Sequence, residues 1–351
     1  MSIMRGKKNK RRPYLTGMPE LDKIIYDLSG KYCEEENRDL LNQILTTSMK
    51  LALESHNRAD LKLVNVSFKQ LRYALKIFSK YRDVRKVALF GSARTLPDSE
   101  EYRSAEDFSR KIVRHGFDVV TGAGGGIMEA GNKGAGGKHS IGVNIKLPFE
   151  QHANKYLTDH NKIINFKHFF VRKLFFIKET DATVLFPGGF GTLDEGLENL
   201  TLFQTGKSAP RPIVLLQTKT NKYWDEWMSF VKSALVKHAY ISPDDLSLYY
   251  KTDDTDKAVE YITGFYKHYH SIRYIKEWTI FRLNTEIPMS YLKTVGKEFK
   301  NILEDGKIEP CGLIEDEKQK GEYLNLPRIK MKFNKREFGT LNKLIQRLNE
   351  Y

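Results

Sequence analysis

The chain has 351 residues, 40% hydrophobic and 12% aromatic, which is enough apolar side chain to build a core and excludes wholesale disorder. No stretch approaches 18 uninterrupted apolar residues, which excludes a membrane-spanning helix. The only cysteines, Cys33 and Cys311, lie far apart without Cys or His at ligand spacing, so a disulfide framework and a structural zinc site are excluded and a reducing, cytoplasmic setting is expected.

The net charge of +14 draws the chain toward polyanions, phosphate-bearing small molecules included. Six of the basic residues fall between Arg5 and Arg12, where no apolar run follows, so a solvated tail is expected rather than a secretory signal. From about Leu21 to Ser79 apolar residues recur at three and four (Leu40, Leu41, Ile44, Leu45, Met49), and Gly and Pro nearly vanish after Gly30. That pattern predicts a helical preface packed on something else.

From Arg85 the rhythm changes to short apolar runs that end in Gly or polar turns. Strands are predicted at Val87–Phe90, Phe117–Val120, Ile141–Ile145, Ile163–Phe166, Val184–Phe186 and Ile213–Leu216. Helices are predicted between them at about Ser99–His115, Ile127–Gly134, His168–Thr180, Thr192–Thr205 and Tyr223–His238. Near-continuous apolar strands alternating with helices indicate a buried, largely parallel sheet, whose ligands bind beyond the carboxyl ends of the strands. Past about Asp253 the pattern loosens into strands at Trp278–Leu283 and Arg328–Phe333 and helices near Met289–Leu303 and Phe338–Leu348.

Three strand-to-helix junctions carry residues suited to chemistry. At Phe90–Arg94, Gly91 permits a tight turn, and the Ser92 hydroxyl and Arg94 are placed to meet a phosphate or a base. At Thr121–Glu129 four glycines occupy five positions, which is costly to order unless backbone must approach something closely. A phosphate at the following helix N-terminus is one such partner, and close helix–strand packing is the other. Reading G-x-G-x-x-G from Gly122 puts Ile127 in the third glycine position, so this is no dinucleotide fingerprint.

At Phe186–Glu195 three glycines in four positions end a strand, Thr192 stands at the expected N-cap or first turn, and acids follow in that turn. Exposed amides and the helix dipole suit a phosphate there. Asp194 is read as a partner of that dipole, and Glu195, nearer the turn than Glu198, as the working carboxylate. Arg172 and Lys173 lie in the helix before this strand.

Together these segments resemble the LOG ("Lonely Guy") family, often mislabelled as lysine decarboxylases. Its P-G-G-x-G-T-x-x-E hallmark is matched by Pro187, Gly188, Gly189, Gly191, Thr192 and Glu195, and its Arg-Lys pair by Arg172 and Lys173, 23 residues before the acid. The glycine loop resembles the family's G-G-G-x-G-x-M form, with Ala123 replacing a glycine while Gly124, Gly125, Gly126 and Met128 remain. The resemblance covers roughly Arg85 to His238, and the helical N-terminal extension and C-terminal addition resemble the longer bacterial branch.

The resemblance implies hydrolysis of the N-glycosidic bond of a nucleoside 5′-monophosphate, with Glu195 and Arg172 catalytic. Ser92, Gly124, Gly125, Gly126, Met128, Glu129, Lys173, Gly188, Gly189, Gly191 and Thr192 would bind substrate. It also implies a dimer or larger homo-oligomer with active sites near the interface. No metal or cofactor is expected, and lysine decarboxylation is disfavoured because no lysine sits in a setting typical of a pyridoxal phosphate Schiff base.

The expected fold is α/β: a Rossmann-like, doubly wound parallel sheet over 81–245, with a basic tail and helical extension over 1–80 and a small α+β addition over 246–351. A non-catalytic nucleotide or cofactor binder on the same fold is the alternative. Helix-turn-helix, zinc-finger and RNP-type signatures are absent, so no specific nucleic-acid partner is expected, and a tail-driven nucleic-acid or protein binder stands third.

Overall fold

The computed structural model describes residues 14–54, 57–146, 153–321 and 323–351; the basic tail, Arg5–Arg12, lies outside them. Two compact units divide the chain, one ending at Lys69 and one running from Gln70 to Tyr351. The first contains helices α1 (Pro19–Tyr32) and α2 (Arg38–Leu53), which pack on each other, and the division falls within α3 (Arg58–Phe78). The helical pattern read over 21–79 thus resolves into three helices.

The second unit continues with β1 (Lys86–Phe90), α4 (Glu100–Arg114), β2 (Asp118–Thr121), α5 (Ile127–Ala135) and β3 (Ser140–Ile145). After these come β4 (Ile163–Phe166), α6 (Phe169–Lys178), β5 (Ala182–Leu185), α7 (Phe190–Gln204), β6 (Ile213–Leu216), α8 (Tyr223–Phe230), β7 (Tyr250–Thr252) and α9 (Thr255–Phe265). The seven strands form one parallel sheet in the order β4-β3-β2-β1-β5-β6-β7.

Successive side chains of a strand point to opposite faces, and here both faces are covered. Val87 and Leu89 join the core under α4, α5 and α9, whereas Ala88 and Phe90 join the core under α6, α8 and the end of α3. The fold is therefore an α/β, Rossmann-like doubly wound sheet.

The parallel sheet runs on past residue 245 through β7, whose Lys251 stands in register with Leu215 of β6. With only three residues, β7 is too short to show a period in the sequence.

A second, antiparallel sheet is built from β8 (Tyr269–Ile275), β9 (Trp278–Leu283), β10 (Leu303–Pro310) and β11 (Arg328–Phe333), in the order β10-β11-β9-β8. Helices α10 (Met289–Glu298), α11 (Glu315–Lys320) and α12 (Phe338–Asn349) accompany it. The helix expected to reach Leu303 stops at Glu298, because Leu303 already pairs with Phe333 of β11. Strand β10 is hidden in the sequence because Gly306 adopts φ +69° and the register slips between Leu303 and Ile308, which breaks the two-residue alternation.

Arg282 and Arg328 stand directly opposite each other on β9 and β11, a repulsive pairing if left alone. Glu317 of α11, fully buried, accepts from Arg282 Nε at 2.8 Å and from Arg328 Nε and Nη2 at 3.0 and 2.8 Å. One carboxylate thus bridges the arginine pair, offsets part of its charge and ties α11 to the sheet. The paired guanidiniums hold its pKa below the usual carboxylate range against the opposing push of burial.

Glu317→Ala leaves two buried cations without their bridging carboxylate, and a loss of about 3–5 kcal/mol in urea unfolding is expected. Because the folded-state pKa is lowered, the stabilisation is fully present above the unfolded value, about 4.3, and is lost as pH falls through the folded one. Stability curves of the parent and Glu317→Ala that stay parallel through the acid range would contradict this linkage.

Candidate functional site

Chain direction across the sheet reverses at β1. From there β2, β3 and β4 build outward on one side, while β5, β6 and β7 build on the other. At such a switch point the loops after β1 and β5 diverge and leave a crevice beyond the strand ends. A cavity of about 710 Å³ fills that crevice. Its lining includes Ser92 and Arg94 after β1, Gly122 and Met128 after β2, Arg172 and Phe176 of α6, and Gly189, Phe190, Gly191, Thr192 and Glu195 after β5.

The three junctions singled out in the sequence are bonded together here. Ser92 N–H donates to the Pro187 carbonyl at 3.1 Å, and Ile127 N–H donates to the Ser92 carbonyl at 3.1 Å. The glycines make these approaches possible. A Cβ on Gly126, which has φ +62°, would lie 2.3 Å from the Ser92 carbonyl oxygen, and one on Gly188 would lie 2.2 Å from Thr192 Oγ1.

Met128 lies over Gly122 and Gly124, where added Cβ atoms would stand 2.7 Å from its Sδ and Cε respectively. Gly124, Gly125 and Gly126 do not line the cavity; Gly124 gives room to Met128 and Gly126 to the 92–93 backbone, whereas a Cβ on Gly125 would meet the Ala93 carbonyl at an ordinary 3.5 Å. Gly189 and Gly191 have no atom within 4 Å of an added Cβ and open onto the cavity.

Ala123, standing where the resemblance led us to expect glycine, adopts φ +65°. Its N–H donates to Thr121 Oγ1 at 3.0 Å, and Asn154 Nδ2 holds the loop from the other side through the Gly124 carbonyl at 3.0 Å. Asn154 was not picked out in the sequence, where nothing local marks a residue 30 positions away as the brace of this loop. Glu129 turns away from the cavity and accepts from the Tyr102 hydroxyl at 3.3 Å.

Helix α7 starts at Phe190 with Gly189 as its N-cap, earlier than expected. Thr192 is therefore the third helical residue, and no acid falls in the first turn. The reading of Asp194 as a dipole partner is corrected accordingly: its carboxylate pairs with Lys173 Nζ at 2.8 Å. Lys173 also reaches Glu198 at 3.0 Å and does not line the cavity. Adjacent residues of a helix point about 100° apart, so Arg172 and Lys173 serve different surroundings.

Arg172 Nη2 donates to Glu195 Oε1 at 3.1 Å, while its guanidinium lies 4.9 Å from the Phe169 ring centroid and 5.7 Å from that of Phe176. Glu195 is 2% exposed, and both its Oε2 and Arg172 Nε are buried without a hydrogen-bond partner among the described residues. Burial pushes the Glu195 carboxyl above the ordinary carboxylate range, and Arg172 and then Lys173 pull it partly back. The site thus combines a perturbed carboxylate with an open acceptor atom, a guanidinium with an open donor, and the unpaired amides that begin α7.

Among the described residues no helix is long and apolar enough to cross a membrane. No group of three or more His, Cys, Asp or Glu among them is placed to hold a metal ion.

A family model described as "Possible lysine decarboxylase" matches residues 126–262, a span that includes Arg172 and Glu195. Cytokinin riboside 5′-monophosphate phosphoribohydrolase LOG3 of Arabidopsis thaliana is 29% identical over 162 residues, 45% of this chain and 73% of that protein. Probable cytokinin riboside 5′-monophosphate phosphoribohydrolase LOG6 of the same plant is 33% identical over 143 residues, 40% of this chain and 68% of that protein. Probable cytokinin riboside 5′-monophosphate phosphoribohydrolase LOGL3 of Oryza sativa subsp. japonica is 32% identical over 146 residues, 40% of this chain and 66% of that protein.

The two kinds of glycine respond differently to a methyl group. Gly126→Ala forces both a left-handed alanine and a backbone clash, and a loss of about 1–3 kcal/mol is expected in urea unfolding. Gly189→Ala, at φ −84° with open space around it, is expected to stay within about 0.5 kcal/mol of the parent. Equal losses in the two variants would refute the division.

Proposed function

The chain belongs to the LOG family, and on that premise we propose that it hydrolyses the N-glycosidic bond of a nucleoside 5′-monophosphate to free base and ribose 5-phosphate. The observation that carries this reading is the buried Glu195, held through one oxygen by Arg172 and with the other free, in the crevice at the switch point.

Cleavage of that bond develops positive charge at the ribose anomeric carbon, as in glycoside hydrolysis. The Glu195 carboxylate stabilises this charge and takes a proton from the water that adds to the anomeric carbon, while the base leaves with the bonding electrons. The base picks up a proton from solvent, and Glu195 gives one back to solvent on returning to the carboxylate. Arg172 fixes Oε1, so Oε2 is the atom left to meet water or ribose. The 5′-phosphate sits on the first amides of α7, at Phe190 and Gly191, beside the Thr192 and Ser92 hydroxyls. Phe90, Phe176 and Met128 supply the apolar part of the lining for the base.

Lysine decarboxylation is not supported by this site. No lysine lines the cavity among the described residues, and the nearest in sequence to Arg172, Lys173, is held between two carboxylates. A cytoplasmic setting belongs to the same proposal, with both cysteines free. A homo-oligomer belongs to it as well. Phe170 and Leu174 of α6 and Phe190 and Leu197 of α7 are 59%, 48%, 94% and 48% exposed, an apolar surface on two helices joined by the Lys173–Asp194 pair. A second copy of the chain covers that surface.

Incubation with AMP, GMP, CMP and UMP is expected to release free base from at least one, read by chromatography. Glu195→Gln should lower turnover by about 10²–10⁴-fold and keep nucleotide binding. Tight binding without turnover by the parent would favour the non-catalytic alternative instead.

If Glu195 works as a carboxylate, activity rises with pH through its elevated pKa. Because Arg172 lowers that pKa, Arg172→Leu moves the acid limb to higher pH; a shift to lower pH, measured on kcat/KM, would count against the assignment. Light scattering should report a dimer or larger assembly, and Phe170→Asp should weaken it; a monomeric parent removes this part of the proposal.

A further inference from the structure

We infer that Arg94 is the cation that grips the substrate phosphate in this cavity. The inference rests on reading the cavity as a nucleoside 5′-monophosphate site. Among the described residues three charged side chains line the cavity: Arg94, Arg172 and Glu195. Arg172 and Glu195 face each other at 3.1 Å and cancel. Lys173 points elsewhere, into Asp194 and Glu198. Arg94 is left as the charge without a counterion, and its side chain has no hydrogen-bond or ion-pair partner among the described residues.

A phosphomonoester carries about −1.5 to −2 charges near neutral pH. The N-terminus of α7 offers about +0.5. The remaining charge, about one unit or slightly more, is what a single guanidinium supplies, and its forked donors match two phosphate oxygens at once.

Placement favours the phosphate over the base. Arg94 N–H donates to Ser92 Oγ at 3.1 Å, and Ser92 abuts the Gly188 turn and Thr192 at the start of α7. The stretch that carries Arg94 is also anchored at Ser92, whose N–H donates to Pro187 and whose carbonyl accepts from Ile127. Its backbone is therefore set before any ligand arrives, while the exposed side chain is free to close over one.

The test uses ribose 5-phosphate, with free ribose as the control lacking phosphate, titrated calorimetrically into the full chain. Arg94→Ala is expected to weaken ribose 5-phosphate binding about 10- to 100-fold, the loss typical of one charge-assisted contact. Arg94→Lys should restore much of the loss, and binding of free ribose should not change. Arg94 is exposed and, among the described residues, bonded only through its backbone, so neither variant threatens folding.

Unchanged ribose 5-phosphate affinity in Arg94→Ala overturns the inference, as does an equal loss for ribose, or no binding by the parent. These measurements need no turnover. A parent that binds ribose 5-phosphate through Arg94 yet cleaves no monophosphate would sink the hydrolase reading and leave this one standing.

Discussion

The backbone of Ser92 is bonded on both sides, donating to Pro187 at the end of β5 and accepting from Ile127 at the start of α5. These two bonds join three loops that belong to neighbouring strands of the sheet. Each bond requires main chain to come within a distance that a Cβ would forbid, which is why Gly126 and Gly188 stand opposite Ser92. The cavity is the space left beside this junction. Its position follows from the parallel strand order, because it lies beyond the strand ends at the switch point between β1 and β5.

Within that frame the electrostatics are set by exclusion of water. A carboxylate at 2% exposure is costly unless paired, and Arg172 compensates it through one hydrogen bond rather than two. Burial outweighs the arginine in setting the direction of the Glu195 pKa. The Phe169 and Phe176 rings lie against the guanidinium. The cluster of Lys173, Asp194 and Glu198 sits on the same two helices but outside the cavity, where it fastens α6 to α7. Adjacent charged residues thus divide into one pair turned to the cavity and one network that holds its walls.

The antiparallel sheet repeats the same economy with different parts. Arg282 and Arg328 are forced opposite each other by strand register, and Glu317 from a six-residue helix bridges both. In each case a buried ionic group is tolerated because its partner arrives from another element. That dependence is also why such groups are hard to read locally: nothing within six residues of Glu317 announces the arginines of β9 and β11.

The residues alone determined the alternation of apolar strands and helices, the strand ends at which loops bind ligands, and the PGGFGT turn with Glu195 on the helix behind it. These are local properties, since strand and helix periods and glycine clusters are written in consecutive residues. The tertiary structure decided what those features face. It assigned Gly124 and Gly126 to packing and left Gly189 and Gly191 open, because an absent Cβ signals a close approach without saying whose. It turned Arg172 into the cavity and Lys173 out of it, a choice made by how α6 lies on the sheet. It added β7 and β10, whose short length and bulge erase the two-residue alternation that a single strand would otherwise show.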